Sequence, residues 1–183
     1  MEVTDLPLPG LKLLRPRMIA DARGSLAEAW READMPGIRF VQDDVSSSSA
    51  PGTVRGLHFQ APPHARHGLV IALTGSMVEV AVDIRRGSPT FGRFHAVKLQ
   101  GRALEMLFIP AGFAHGSCTL EPDTIVMTRF TAYGSAEHEH GIAWDDPVLG
   151  IPWPIPLSEA VLSEKDRGHP RLAQIRTPFV FKG

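Results

Sequence analysis

The side chains best suited to chemistry in this chain of 183 residues are its eight histidines. Imidazole changes charge near neutral pH, so it can take a proton from a substrate and return it, or bind a metal through a ring nitrogen. His58 follows Gly56-Leu57, His115 ends the run Pro110-Ala-Gly-Phe-Ala-His115, and His64 and His67 sit among Pro62, Pro63 and Ala65 in an expected loop. The lone Cys118 cannot form an internal disulfide, which makes a reducing cytoplasm the default compartment.

Such side chains need a frame that turns them inward, and the chain reads as strands. Sixteen prolines and seventeen glycines punctuate short segments rich in Val, Ile, Phe and Thr, the texture of an all-β sandwich or barrel. Met77–Ile84 alternates Val78, Val80 and Val82 with Glu79, Ala81 and Asp83, so one face is apolar. Gly68–Leu73 leads into it across Thr74-Gly75-Ser76, a spacing suited to a tight hairpin. Similar runs occur at Leu11–Pro16, Ser25–Trp30, Phe40–Val45, Thr53–Gln60, Phe94–Leu99, Leu104–Ile109 and Thr124–Thr131. A barrel of about eight or more strands accounts for them, within one domain over residues 1–183. Helix is a minority. Leu26–Ala33 reads either way, Leu157–Lys165 begins a short amphipathic turn, and Trp144–Pro156 has the turn-rich composition of a segment wrapped over the barrel. Ser46–Gly52 reads as a flexible loop between two strands.

Nineteen Lys and Arg against twenty acids leave no strong positive field, which argues against a nucleic-acid partner or an anionic membrane surface. No apolar run approaches the roughly 18 residues of a spanning helix, and the first residues do not resemble a leader peptide.

Two stretches resemble halves of the cupin metal signature. Pro110–His115 resembles the second cupin motif, in which a proline–glycine turn delivers a histidine to the barrel interior; after Gly56-Leu-His58-Phe, however, Gln60 stands where a second histidine is usual. A divalent ion asks for about three or four N, O or S ligands, and only His58 and His115 are well placed by motif. A cavity holding histidines without a metal suits acid–base work. Beyond that, Gly52-Thr-Val-Arg-Gly-Leu-His-Phe-Gln60, Val80-Ala-Val-Asp-Ile-Arg85, Gly87-Ser-Pro-Thr-Phe-Gly92, Ile109-Pro-Ala-Gly-Phe-Ala-His-Gly116, Trp144-Asp-Asp-Pro147 and Leu162-Ser-Glu-Lys-Asp166 together resemble the dTDP-4-dehydrorhamnose 3,5-epimerases over nearly the whole chain.

The resemblance implies a cupin-like β-barrel or jelly roll with a few short helices. It also implies a nucleotide-sugar substrate, a homodimer, and neither cofactor nor metal. Carbons flanking a ketone would be inverted, which needs a base for the α proton, a stabiliser for the enolate oxygen and a donor on the other face. His58 matches the family's base and Asp166 its partner. The bland alternative is a satisfied core histidine and a cap near a helix start. Arg55 resembles a diphosphate contact, although an offset of three from His58 puts the two side chains on opposite faces of a regular strand unless a bulge intervenes at Gly56. His115 resembles a contact near the ketone. Arg23 and Glu28 resemble nucleotide contacts contributed by a partner subunit, and Gln42, Asp44, Glu139 and Lys165 fall at further contact positions, with Asp44 where asparagine is usual.

Three positions depart from the pattern. Thr128 stands for the family's opposite-face tyrosine, and Gly68 for a lysine near the ketone; Ser25 and Leu26 follow Gly24 where an aromatic is usual. Threonine is a far weaker acid than a phenol. Tyr133 lies at an odd offset of five from Thr128, while Arg66 and His67 neighbour Gly68. Four readings stay open: 3,5-epimerisation, inversion at a single carbon or another keto-sugar isomerisation, a catalytically reduced cupin that only binds nucleotide sugars, and a metal cupin using His58, His64, His67 or His115.

Overall fold

The computed structural model describes residues 1–183. In chain order its strands are β1 (Glu2–Asp5), β2 (Lys12–Arg15), β3 (Met18–Asp21), β4 (Gly24–Ala27), β5 (Gln42–Ser48), β6 (Val54–Gln60), β7 (Gly68–Thr74), β8 (Ser76–Asp83), β9 (Phe94–Gln100), β10 (Met106–Ile109), β11 (Phe113–Thr119), β12 (Thr124–Phe130) and β13 (Glu139–Gly141). One α-helical turn, α1 (Glu164–Arg167), and four short 3-10 turns complete it. No helix is long and apolar enough to cross a membrane.

A six-stranded sheet, ordered β1-β2-β10-β7-β12-β5, faces a five-stranded sheet, ordered β13-β6-β11-β8-β9, and β3-β4 forms a separate hairpin. Neighbouring strands pair antiparallel throughout. This is the expected all-β jelly roll. Between the sheets, Leu13, Val70, Leu107 and Val126 pack against Met77, Ala81, Leu99 and Phe113. Removing such side chains from water is the main favourable term holding the layers together, at roughly 1.5–3 kcal/mol for a large aliphatic residue.

Strand β8 is buried on both faces. Its apolar face, with Val80 and Val82, points away from the barrel interior and lies under the C-terminal wrap of Ile142, Trp144, Leu149 and Trp153. Glu79 thereby faces inward. Trp144–Pro156 does wrap the barrel, as a series of turns joined by irregular chain, tied by Trp153 Nε1 donating to the Trp144 carbonyl at 2.8 Å and by buried Asp146, which accepts from the Leu172 amide at 2.8 Å.

Several sequence expectations are corrected. Ser46, Ser47 and Ser48 lie in β5, paired with Val126, Ile125 and Thr124, so only the end of the expected loop is a loop. A cross-strand ladder overrides the loop-like composition of a serine run. Leu26–Ala33 is divided between the end of β4 and a 3-10 turn at Glu32–Asp34, and Leu157–Lys165 between a 3-10 turn at Leu157–Glu159 and α1. The Pro110–His115 turn runs on into β11, a central strand that composition did not mark.

The bulge that Arg55 and His58 require is present. His115 pairs with His58 and Ser117 with Arg55, so two steps on β11 span three on β6. Gly56 takes it up at φ +126°, and a Cβ there would fall 2.6 Å from Gly116 Cα and 2.7 Å from the His115 carbonyl oxygen. Both the left-handed backbone and the close approach exclude other residues. Gly56→Ala is expected to cost more than about 2 kcal/mol and to lower the thermal midpoint by at least about 5 °C; a midpoint unchanged in differential scanning calorimetry would contradict this reading of the bulge.

Candidate active site

A cavity of about 640 Å³ opens between the two sheets. From the five-stranded sheet, β6 supplies Arg55, His58 and Gln60, β8 supplies Glu79, and β11 supplies His115. The facing sheet supplies Asp44 from β5, Gly68 from β7 and Thr128 from β12, with Arg66 just ahead of β7. Asp166 and Lys165 enter from α1, and Glu139 from β13.

His58 and Asp166 meet across 108 positions of sequence: Nε2 lies 2.6 Å from Oδ1. The approach is built by backbone. Val161 bridges in parallel to Thr53 beside the start of β6, with the Val54 amide donating to the Val161 carbonyl at 2.9 Å and the Val161 amide to the Gly52 carbonyl at 3.0 Å. Ser163 then caps α1 by accepting from the Asp166 amide at 3.1 Å. Burial alone would raise the Asp166 carboxyl, but the His58 ring, the Ser163 hydroxyl and the Gly56 amide together hold it below its ordinary range. Asp166 is thus ionised beside the imidazole, and His58, partly exposed, lines the cavity.

A second pair stands beside the first. His115 Nδ1 lies 2.8 Å from Oε1 of Glu79, which is buried. The sequence reading missed Glu79, because only the structure shows that β8 has no solvent face. His169 was missed too. Its Nε2 is buried without a hydrogen-bond partner, 3.4 Å from Asp166 Oδ1, and its ring occupies the space that a side chain at Gly141 would need. Burial and the neighbouring His58 charge lower its pKa.

The other expected residues divide clearly. Arg55 faces the cavity, its Nη2 donating to the Ser47 carbonyl at 3.1 Å. Asp44, Glu139 and Lys165 line it, the last two ion-paired at 3.0 Å. Gln42 stands behind this wall, its amide donating to Asp44 at 2.9 Å and accepting from the Gly134 amide at 2.8 Å. Arg23 and Glu28 are not brought to the cavity of their own chain; they are exposed and paired with Asp21 and Arg31. Tyr133 lies beyond the end of β12, is 69% exposed and does not line the cavity. The four histidines of the metal reading do not converge. His67 stacks on Phe108 and accepts from the Ala111 amide, and His64 packs against His138. Gln60 uses its amide to tie two loops, donating to the Tyr133 carbonyl at 2.9 Å and accepting from the Ser135 amide at 2.8 Å.

Two facing antiparallel sheets with two histidine–carboxylate pairs lining one side of the cavity between them define a cupin-type barrel equipped for proton transfer. Residues 5–174 match the sequence profile of dTDP-4-dehydrorhamnose 3,5-epimerase. A protein of that name from Sinorhizobium fredii is 43% identical over 185 residues, covering 99% of this chain and 94% of its own. Among solved structures, the Bacillus anthracis dTDP-4-dehydrorhamnose 3,5-epimerase with TDP and PPi bound superposes with a TM-score of 0.89 at 41% identity, over 93% of this chain and 98% of that one. The Legionella pneumophila dTDP-6-deoxy-D-glucose-3,5-epimerase in complex with dTDP-4-keto-L-rhamnose gives 0.92 at 35% identity, over 99% of both. The chain belongs to the dTDP-4-dehydrorhamnose 3,5-epimerase family, isomerases acting on carbohydrates.

Proposed function

We propose that His58, oriented and charge-matched by Asp166, removes the proton next to the ketone of a dTDP-4-keto-6-deoxy sugar, so that the chain acts as an epimerase by acid–base chemistry. The observation that carries this is the 2.6 Å contact between His58 Nε2 and an ionised Asp166 inside the cavity. A carboxylate on one ring nitrogen fixes the tautomer and stabilises the imidazolium formed on proton uptake. Arg55 holds the diphosphate through its planar fork. His115, backed by Glu79, contacts the sugar near the ketone, and Asp44, Glu139 and Lys165 contribute further contacts along the cavity, with Gln42 holding Asp44.

Thr128 and Gly68 bear on how many carbons are inverted. They lie on the wall facing His58 and offer neither a phenol nor an ammonium. That favours a second reading in which only one carbon is turned over, with water returning the proton. Incubating the protein with dTDP-4-keto-6-deoxyglucose in deuterium oxide and following the C3 and C5 protons by NMR separates the two. Exchange at both positions supports 3,5-epimerisation, and exchange at one supports the single-carbon reading. His58→Asn is expected to reduce exchange by about 100- to 10,000-fold; exchange at the wild-type rate in that variant would remove His58 from the reaction.

The β3-β4 hairpin supports a homodimer. It belongs to neither sheet, and Ile19 and Leu26 are 59% and 71% exposed on it. As an arm laid on a second copy, it would cover these side chains and carry Arg23 and Glu28 to the partner's cavity. Sedimentation equilibrium should give a two-chain mass, and Leu26→Glu a one-chain mass. A wild-type protein that sediments as one chain contradicts the arrangement.

A further inference from the structure

The cavity has three cationic side chains, and two are already engaged: Lys165 by Glu139 at 3.0 Å and Arg55 by the Ser47 carbonyl at 3.1 Å. Arg66 is different. Its Nη1 is buried with no hydrogen-bond partner, and no carboxylate lies within ion-pair distance of its guanidinium. The group is nonetheless held, its central carbon 3.5 Å from the centroid of the Phe130 ring. Its loop is pinned by Gln60, which donates to the His64 and Tyr133 carbonyls.

A guanidinium stays charged at neutral pH even when burial lowers its pKa, as it does here against the opposing pull of Asp44 and Glu139. Leaving a buried donor such as Nη1 unsatisfied costs free energy. The position suits an anion that develops during reaction. Arg66 leads into β7, on the wall facing His58, and two residues on Gly68, which has no side chain of its own, lies against Phe130 and Thr128. Base and cation share one field, since Glu139, which burial alone would raise, is held down by Lys165, His58 and Arg66.

We propose that Arg66 supplies the positive charge that stabilises the enolate oxygen while His58 holds the abstracted proton, an inference that rests on the epimerase reading above. The C–H bond breaks and its proton passes to His58 Nδ1. The electron pair forms the C=C bond, and the carbonyl π pair moves onto oxygen beside Arg66. On return that pair re-forms the carbonyl, and carbon takes a proton from the imidazolium or from water. A fixed donor aimed at developing charge lowers the barrier because it needs no reorganisation.

A diphosphate contact is the competing role, and it differs because a diphosphate is fully charged before reaction. The test measures kcat for deuterium exchange and, separately, dTDP affinity by calorimetry, in the wild type, Arg66→Gln, Arg66→Met and Arg66→Lys. Arg66→Gln should lose about 100- to 1,000-fold in kcat with dTDP affinity held within about threefold. Arg66→Met, which keeps the aliphatic stem on Phe130, should show the same loss if the glutamine variant folds poorly. Arg66→Lys should recover at least about tenfold. Unchanged kcat in the first two variants overturns the proposal, as does dTDP affinity falling in step with kcat/KM. A wild type that exchanges no proton overturns the parent reading as well, whereas exchange that survives loss of Arg66 overturns only this one.

Discussion

The structure depends on an ionised carboxylate buried at the edge of a cavity between two sheets. Asp166 is almost fully buried, and an unpaired charge in that position would cost several kcal/mol. Its stability comes from what surrounds it: the His58 ring, the Ser163 hydroxyl and the Gly56 amide. Each of those is held in turn by the surrounding chain. His58 depends on the bulge in β6, Ser163 on the bridge between Thr53 and Val161, and Gly56 on its close contact with β11. The same glycine therefore turns Arg55 and His58 to one face and helps keep the carboxylate partner of His58 charged.

The two sheets divide the chemistry between them. The five-stranded wall carries the histidine–carboxylate pairs, His58 with Asp166 and His115 with Glu79. The facing wall carries Asp44, Gly68 and Thr128, with Arg66 at its margin. A sugar ring held between such walls would present one face to the bases and the other to a surface short of proton donors. What that second wall lacks in acidity it offers in charge, through a guanidinium stacked on Phe130.

The fold class was legible because strand periodicity and the Pro and Gly punctuation act locally. Met77–Ile84, Thr53–Gln60 and Thr124–Thr131 correspond closely to β8, β6 and β12. Failures came where the deciding partner is distant in sequence. The serine run at 46–48 becomes strand only because β12 lies beside it, and β11 looks like the tail of a turn until its two neighbours are in place. Site residues followed the same division. His58, Asp166, Arg55 and His115 were found through motifs, whereas Glu79 and His169 were invisible, since nothing local distinguishes a buried acid aimed at a histidine from an exposed one. Arg66 was noticed only as a neighbour of Gly68; its freedom from partners is a property of the cavity.

Whether His58 and Asp166 work as one unit is the claim on which the functional account turns. A double-mutant cycle on kcat for solvent exchange tests it, using His58→Asn, Asp166→Asn and the two together. If Asp166 acts through His58, the double variant is no slower than His58→Asn alone, because residues of one unit are strongly non-additive. Losses that multiply, with the double variant slower by the product of the two single effects, would show that the carboxylate acts independently of the imidazole and would contradict the account.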